Sequence, residues 1–183
     1  KVEVEGALLS APVEGCGTAT TVKEALEEAI LAIRENISVA DAVSAAASED
    51  SVLAGYVHGR VHGSDRAGSA AAMVEVGRLG GADVAVEDMK EVGKRLAMHI
   101  VAAKPLYLSS DSVPDDVIEK EKAMLMEQIA GSGKPEHILE KMVTGRMRKF
   151  YEETCLTEQP HMVEEGGPKV STFLGEIGME VRG

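Results

Sequence analysis

Between Val86 and Ala103 the apolar residues Met89, Val92, Leu96, Ile100 and Ala103 recur at steps of three and four, the core stripe of an amphipathic helix. Lys104-Pro105 ends it, because a residue before proline avoids helical geometry. Upstream, "VKEALEEAILAIREN" sets Leu26, Ile30 and Ile33 on one side of a second helix. Thr21, with Glu24 three residues on, has the spacing of a capping box at its start. "SVLAGYVHGRVHG" is built differently: β-branched and aromatic residues closed by Gly59 and Gly63 predict a strand. "GSAAAMVEVG" supplies a partner across the loop "HGSDRAG", giving an antiparallel hairpin. "ISVADAVSAAAS" fits strand or helix, and residues 1–21 read as a linker or ragged domain edge.

The second half starts afresh at "SSDSVPDDVIEKEKAMLMEQIAGSGKP". Asp111 or Ser112 is suited to cap a helix, Pro114 to its first turn, and Asp115 and Asp116 to the positive end of the helix dipole. Ile118, Leu125 and Ile129 form its stripe; Gly131-Ser132-Gly133 ends it and Pro135 starts the next helix. That next helix carries Leu139, Met142, Val143, Met147 and Phe150 on its apolar side. Neither stripe can be buried alone, so the two helices are expected to pack as an antiparallel hairpin over residues 109–156. Gly145 costs about 1 kcal/mol relative to Ala inside a helix, which predicts a close helix–helix approach there. The tail "VSTFLGEIGMEV" reads as a short helix entering a strand at Met179. Residues 22–108 and 157–183 together form the expected core lobe, so the fold class is α+β: a small antiparallel sheet flanked by helices, with a protruding helical hairpin.

Charge narrows the function. The 183 residues carry 19 Lys and Arg against 31 Asp and Glu, a formal net charge of −12, which repels nucleic acid unless a basic face is segregated. The run Lys141, Arg146, Arg148, Lys149 raises that question: a nucleic-acid handle, a metal or catalytic helix, or one arm of a hairpin. At this overall charge it reads as the solvated flank of the hairpin, balanced by Glu119, Glu121 and Glu127 on the other arm. Aromatic residues make up 3% and Trp is absent, so the core relies on aliphatic residues and nine Met, and single-strand stacking platforms are almost excluded. Cys16 and Cys155 form no C-x-x-C and read as inert thiols of a reducing compartment, with a single disulfide between them as the alternative that the sequence leaves open. No apolar run approaches the roughly 20 residues that span a bilayer. The first residues lack a signal-peptide pattern and an initiator Met, and the last strand is open-ended, which reads as a piece of a longer chain.

Candidate chemistry is sparse. His58 and His62 are four apart but on a strand end and loop without the H-E-x-x-H glutamate, so an exposed pair or partner contact outweighs a metal site. His99 sits beside the apolar stripe as a core or boundary histidine. "GSDRAGSA" lacks the ending of a phosphate loop, and neither cysteine has a His or Asp partner nearby for nucleophilic catalysis. The layout is that of an interaction protein, without cofactor or metal.

Six strings, in order, resemble translation elongation factor Ts: "IRENI", "YVHG", "LAMHIVAAKPLYLS", "VPDDVIEKE", "SGKPEHILEKMVTGRMRKFYEE" and "LTEQP". The resemblance covers Val22 to Gly183 and is most specific from Leu96 to Pro160. It implies small antiparallel sheets, an inserted antiparallel coiled coil, and a guanine-nucleotide exchange factor for the GTPase elongation factor Tu, acting by binding and not as an enzyme. The family's N-terminal three-helix domain and its T-D-F-V motif have no equivalent here; "GGADVA", Gly80 to Ala85, resembles the second core lobe, which lacks that wedge. By position, Ile33 and Arg34 match an I-G pair at the GTPase interface, with Arg for Gly. His58 matches the histidine of Y-x-H-G, and Met162 and Val163 match an apolar pair after Q-P-x, with His161 in place of Phe. The hairpin implies bacterial cytoplasm or an organelle, plastid before mitochondrion, and an exposed coiled coil could also self-associate. The competing expectation is a degenerate lobe serving as a scaffold of a ribosome-associated complex. A metal-dependent enzyme using His58 and His62 is a third.

Overall fold

The computed structural model describes residues 2–130, 135–161 and 167–182, which form two compact units, Lys1–Ala45 and Ala46–Gly183. The first unit holds α1 (Val2–Leu9) and α2 (Val22–Ile33), with an antiparallel bridge between Pro12 and Thr21. The segment expected to be linker therefore carries a short helix. The capping box is present: the Thr21 side chain accepts the Glu24 N–H at 3.3 Å, and the Glu24 carboxylate accepts the Thr21 N–H at 3.2 Å. Thr20 adds its N–H at 2.8 Å and its hydroxyl at 2.7 Å to the same carboxylate, and these bonds lower the Glu24 pKa. "ISVADAVSAAAS" is neither strand nor helix: residues 37–48 have no regular secondary structure and are almost all exposed. Its apolar residues find no surface that would reward either period.

The second unit is built on a three-stranded antiparallel sheet, β1 (Ser51–His58), β2 (Ala70–Arg78) and β3 (Met179–Arg182), in the order β1-β2-β3. The register pairs Val52 with Val76, Ala54 with Val74 and Val76 with Val181. Alternation sends Val52, Ala54, Val74 and Val76 to one face, where α3 (Val86–Ala103) lies across them with Met89, Leu96 and Ala97 buried. Leu156, Val170, Leu174 and Met179 close the core. Helix and sheet meet at Gly93: a Cβ there would lie 2.6 Å from the Ala54 Cβ and 3.3 Å from Val76 Cγ2. Lys104 ends α3 in a left-handed conformation, its N–H bonded to the Ile100 carbonyl, directly before Pro105.

A 3-10 turn at Ser110–Ser112 leads into α4 (Asp115–Ala130), which is followed by α5 (Glu136–Thr154). Ser112 closes the 3-10 turn with its hydroxyl on the Ser109 N–H at 2.7 Å, and Pro114 precedes the helix, its carbonyl accepting from Val117 and Ile118. The two helices pack antiparallel. Arg146 of α5 donates to Gln128 of α4 at 2.8 Å, while Phe150 and Glu153 share a groove with Leu125 and Glu121. Leu125, Ile129 and Met147 are buried between them. Two expectations need correction. A Cβ on Gly145 would meet nothing within 4 Å, so this exposed glycine marks no close approach. The basic flank is balanced within its own helix: Arg148 pairs with Glu152 at 2.9 Å and Lys149 with Glu153 at 3.7 Å, the ordinary four-residue spacing. Gly131-Ser132-Gly133 lies outside the described residues.

The chain returns to the lobe through backbone bonds. Leu106 N–H donates to Thr154 O at 2.8 Å, Leu156 N–H to Tyr107 O at 3.0 Å, and Val170 N–H to Gln159 O at 2.9 Å. α6 (Val170–Glu176) then delivers β3, as the tail pattern predicts. Cys155, at the base of the helix pair, is buried and its thiol pKa is pushed up by that burial; Cys16 is exposed, and both are free thiols.

Candidate partner-binding surface

The candidate residues fall on separate elements of the chain. Ile33 ends α2 with half its surface exposed (52%), and Arg34 follows as the C-cap at φ 59°, ψ 30°, its N–H bonded to the Ile30 carbonyl at 2.8 Å. That left-handed geometry is the one glycine adopts without cost, which gives a physical reason for glycine at this position and a strained backbone under Arg34.

His58 lies in the other unit, as the last residue of β1, paired with Ala70 and exposed. Tyr56, two residues earlier on the same face, sets its ring: the Tyr56 hydroxyl is 3.2 Å from His58 Nδ1, and the ring centroids are 6.1 Å apart. The His58 carbonyl accepts the Ser69 N–H at 2.9 Å and the Ser69 hydroxyl at 3.3 Å. A Cβ on Gly68 would strike that carbonyl, so the returning strand can approach only as glycine. His62 lies beyond, exposed on the connecting loop beside Val61, which is 57% exposed. Among the described residues no three His, Cys, Asp or Glu side chains are grouped to hold a metal ion.

Met162 and Val163 lie outside the described residues. Their neighbour His161 is buried with its ring 4.7 Å from Phe173 and 6.1 Å from His99. His99, expected as a core histidine, is buried and bonded through Nε2 to Gln159 Oε1 at 2.8 Å. Gln159 in turn donates to the Glu153 carbonyl at 3.0 Å, so this cluster ties α3 to the base of α5.

The sheet face turned away from α3 carries Leu53, Gly55, Val57, Ala71 and Met73 at its hairpin end, with Met73 49% exposed. Its other end is polar. The Glu75 carboxylate accepts the Ser48 N–H at 2.8 Å and the Ser48 and Ser51 hydroxyls at 2.5 Å each. Arg182 donates to Ser48 Oγ at 3.2 Å and to Glu49 O at 2.8 Å. The two serine hydroxyls, with the Arg182 charge as a lesser cause, lower the Glu75 pKa from 4.5 to about 2. Sequence reasoning missed the Tyr56 contact and this clamp. The two-residue spacing of Tyr56 and His58 on one strand was a usable signal for the first.

A groove of about 380 Å³ runs along the helix pair, lined by Lys122, Val143, Thr144, Met147, Arg148, Tyr151 and Glu158. It is open and mixed in polarity, without the convergent groups of a reaction centre.

A family model described as Elongation factor TS matches residues 3–183. The chain is 38% identical over 166 residues to elongation factor Ts of Paramagnetospirillum magneticum, covering 90% of this chain and 50% of that protein. It is 40% identical over 153 residues to that of Acetivibrio thermocellus, covering 82% and 67%. It is 38% identical over 146 residues to the mitochondrial elongation factor Ts of Ostreococcus tauri, covering 79% and 40%. The chain spans about half the length of most of the curated relatives it matches.

Proposed function

The chain belongs to the elongation factor Ts family, and on that premise we propose that it promotes GDP release from elongation factor Tu in protein synthesis by binding the GTPase. The observation that carries this reading is the family match over nearly the whole chain, which includes the exposed Tyr56–His58 pair at the end of β1. Exchange by binding needs no bond made or broken. It needs the nucleotide-free GTPase to be bound more tightly than the GDP form, because equal affinity shifts no equilibrium. By linkage, the factor by which this chain prefers the empty form is the factor by which it weakens GDP.

In this reading His58, held by Tyr56, is a partner contact on the sheet lobe. Ile33 and Arg34 form a second contact at the end of α2, and Met162 and Val163 form a third. An apolar side chain that becomes fully buried against the partner contributes about 1.5–3 kcal/mol before ordering costs. "GGADVA" offers no Asp-Phe wedge for the nucleotide site, so the chain supplies grip, and distortion follows from gripping more than one domain of the GTPase. No helix among the described residues is long and apolar enough to cross a membrane. A bacterial cytoplasm or an organelle interior, plastid included, suits this role.

The test is release of a fluorescent GDP from elongation factor Tu with increasing amounts of this chain. Concentration-dependent acceleration is expected, and His58→Ala should weaken the apparent affinity about tenfold, the loss of one moderate interface contact. Binding without acceleration would leave the chain as a grip or scaffold. Absence of binding would overturn the proposal.

A further inference from the structure

The two ends of the β1–β2 hairpin treat their arginines differently. At the Ser51 end, Arg78 pairs with Asp50 at 2.9 Å and Arg182 of β3 with Glu180 at 2.9 Å. At the loop end, Arg60 and Arg66 are exposed, and neither guanidinium makes a hydrogen bond or ion pair among the described residues. Asp65, the loop's carboxylate, pairs with neither of them. Val61, between Arg60 and His62, is 57% exposed. The loop is thus a locally basic patch with an apolar tip, on a chain of net charge −12.

The backbone beneath these side chains is already set. Beyond the Ser69–His58 bond, the Val61 N–H donates to the Ala67 carbonyl at 3.0 Å and the Ser64 N–H to the Val61 carbonyl at 3.0 Å. Gly63, at φ 83°, supplies the left-handed position of that tight turn. The Ser64 hydroxyl accepts the N–H groups of Arg66 at 3.2 Å and Ala67 at 3.1 Å. A loop held in this way loses little chain entropy on binding. An exposed valine beside unpaired arginines is the chemistry of a protein contact, since Arg is enriched at interfaces and takes carboxylates two bonds at a time.

We propose that residues 59–68 form a docking loop for an acidic surface of elongation factor Tu, in which Arg60 and Arg66 each take a carboxylate and Val61 enters an apolar pocket. This rests on the exchange-factor reading above and deepens it, by assigning the chemistry that the GTPase must present beside His58. A chain of net charge −12 repels an acidic partner as a whole. A local cationic loop therefore selects the face by which that partner approaches, and it fixes orientation as well as adding affinity. The absence of Lys from the loop fits the same role, because Arg alone offers the planar fork that matches a carboxylate.

Release of a fluorescent GDP from elongation factor Tu by the full chain, measured from low to high salt, tests this. The apparent affinity of the parent should fall as salt rises. Arg60→Glu and Arg66→Glu should each weaken it about tenfold and flatten its salt dependence. Val61→Ser should weaken it several-fold with the salt dependence unchanged, and Asp65→Asn should tighten it about twofold. The two arginine side chains bond to nothing else in the described chain, so the unfolding midpoints of their variants should match the parent's. A parent that neither binds nor accelerates overturns this inference together with the reading it rests on. A parent that accelerates release, with both arginine variants equal to it at low salt, overturns this inference alone. So does a fluorescent single-stranded RNA that binds the parent and not these variants while their GDP release is unmoved, which would assign the loop to nucleic acid.

Discussion

The sheet lobe and the α4–α5 pair belong to the same unit but are held together in different ways. In the lobe, residues distant in sequence converge: Val52 and Val76 from the hairpin, Leu96 from α3, Leu156 from the 3-10 turn that follows α5, and Val170 and Leu174 from α6. Between the two helices, burial is confined to Leu125, Ile129 and Met147 among the described residues, all local to one hairpin. A core assembled from many elements fails as a whole, whereas a narrow seam between two helices opens by itself. The pair can therefore move or fray while the lobe stays intact, and its attachment runs through Gln159 and the short backbone bridges around Cys155.

The comparison is broken most severely at Leu96, which is fully buried. Leu96→Ala should cost about 3–5 kcal/mol and lower the denaturation midpoint of the whole unit; Leu125→Ala should cost about 2–3 kcal/mol. In hydrogen exchange, Leu125→Ala should release the amides of α4 and α5 while those of β2 and α3 keep their protection. Equal loss in both regions would show that pair and lobe form one cooperative block.

A smaller change sharpens the contrast in the other direction. Gly145→Ala places a methyl group in open space on an exposed helix face and should stabilise the pair by about 0.5–1 kcal/mol. The gain should appear as slower exchange in α5. A loss of stability would restore the close helix approach that the sequence suggested.

The smallest effect concerns acid sensitivity. Glu75 has a folded pKa of about 2 against an ordinary 4.5. Its stabilisation is therefore present above about pH 4.5 and is lost as pH falls towards 2. In Glu75→Gln the unfolding midpoint of the lobe should fall relative to the parent at pH 6, with the gap narrowing by pH 3. The α4–α5 amides should show no such change. A gap that does not depend on pH would mean that the serine hydroxyls do not favour the charged carboxylate.

Much of this architecture was written in local patterns. The α3 stripe, the Thr21–Glu24 box, the β1–β2 hairpin and the strand starting at Met179 each rest on periodicity or capping chemistry that neighbouring residues decide. What was hidden depends on remote partners. Gly145 and Gly93 are the same residue in the same kind of helix, yet only Gly93 meets a sheet. Residues 37–48 carry apolar positions that fit two periods, and without a surface to bury against neither forms. For the candidate surface, the resemblance pointed to His58, and the sheet parity adds Tyr56 as the side chain that orients it. The Ser48–Glu75–Arg182 clamp joins residues across almost the whole unit, and no local pattern announces it.

That clamp has a consequence for the order in which the nascent chain takes shape. Ser48 and Glu75 emerge early, but Arg182, which bonds to Ser48, is added after every helix of the unit has been made. Until then β2 leaves the ribosome with one side of its ladder open, and the hairpin waits through the synthesis of α3, α4, α5 and α6 for its third strand. Long-range pairing is slow because chain closure must precede its reward. The unit is thus expected to lock only on completion, with the α4–α5 pair already folded as an independent passenger.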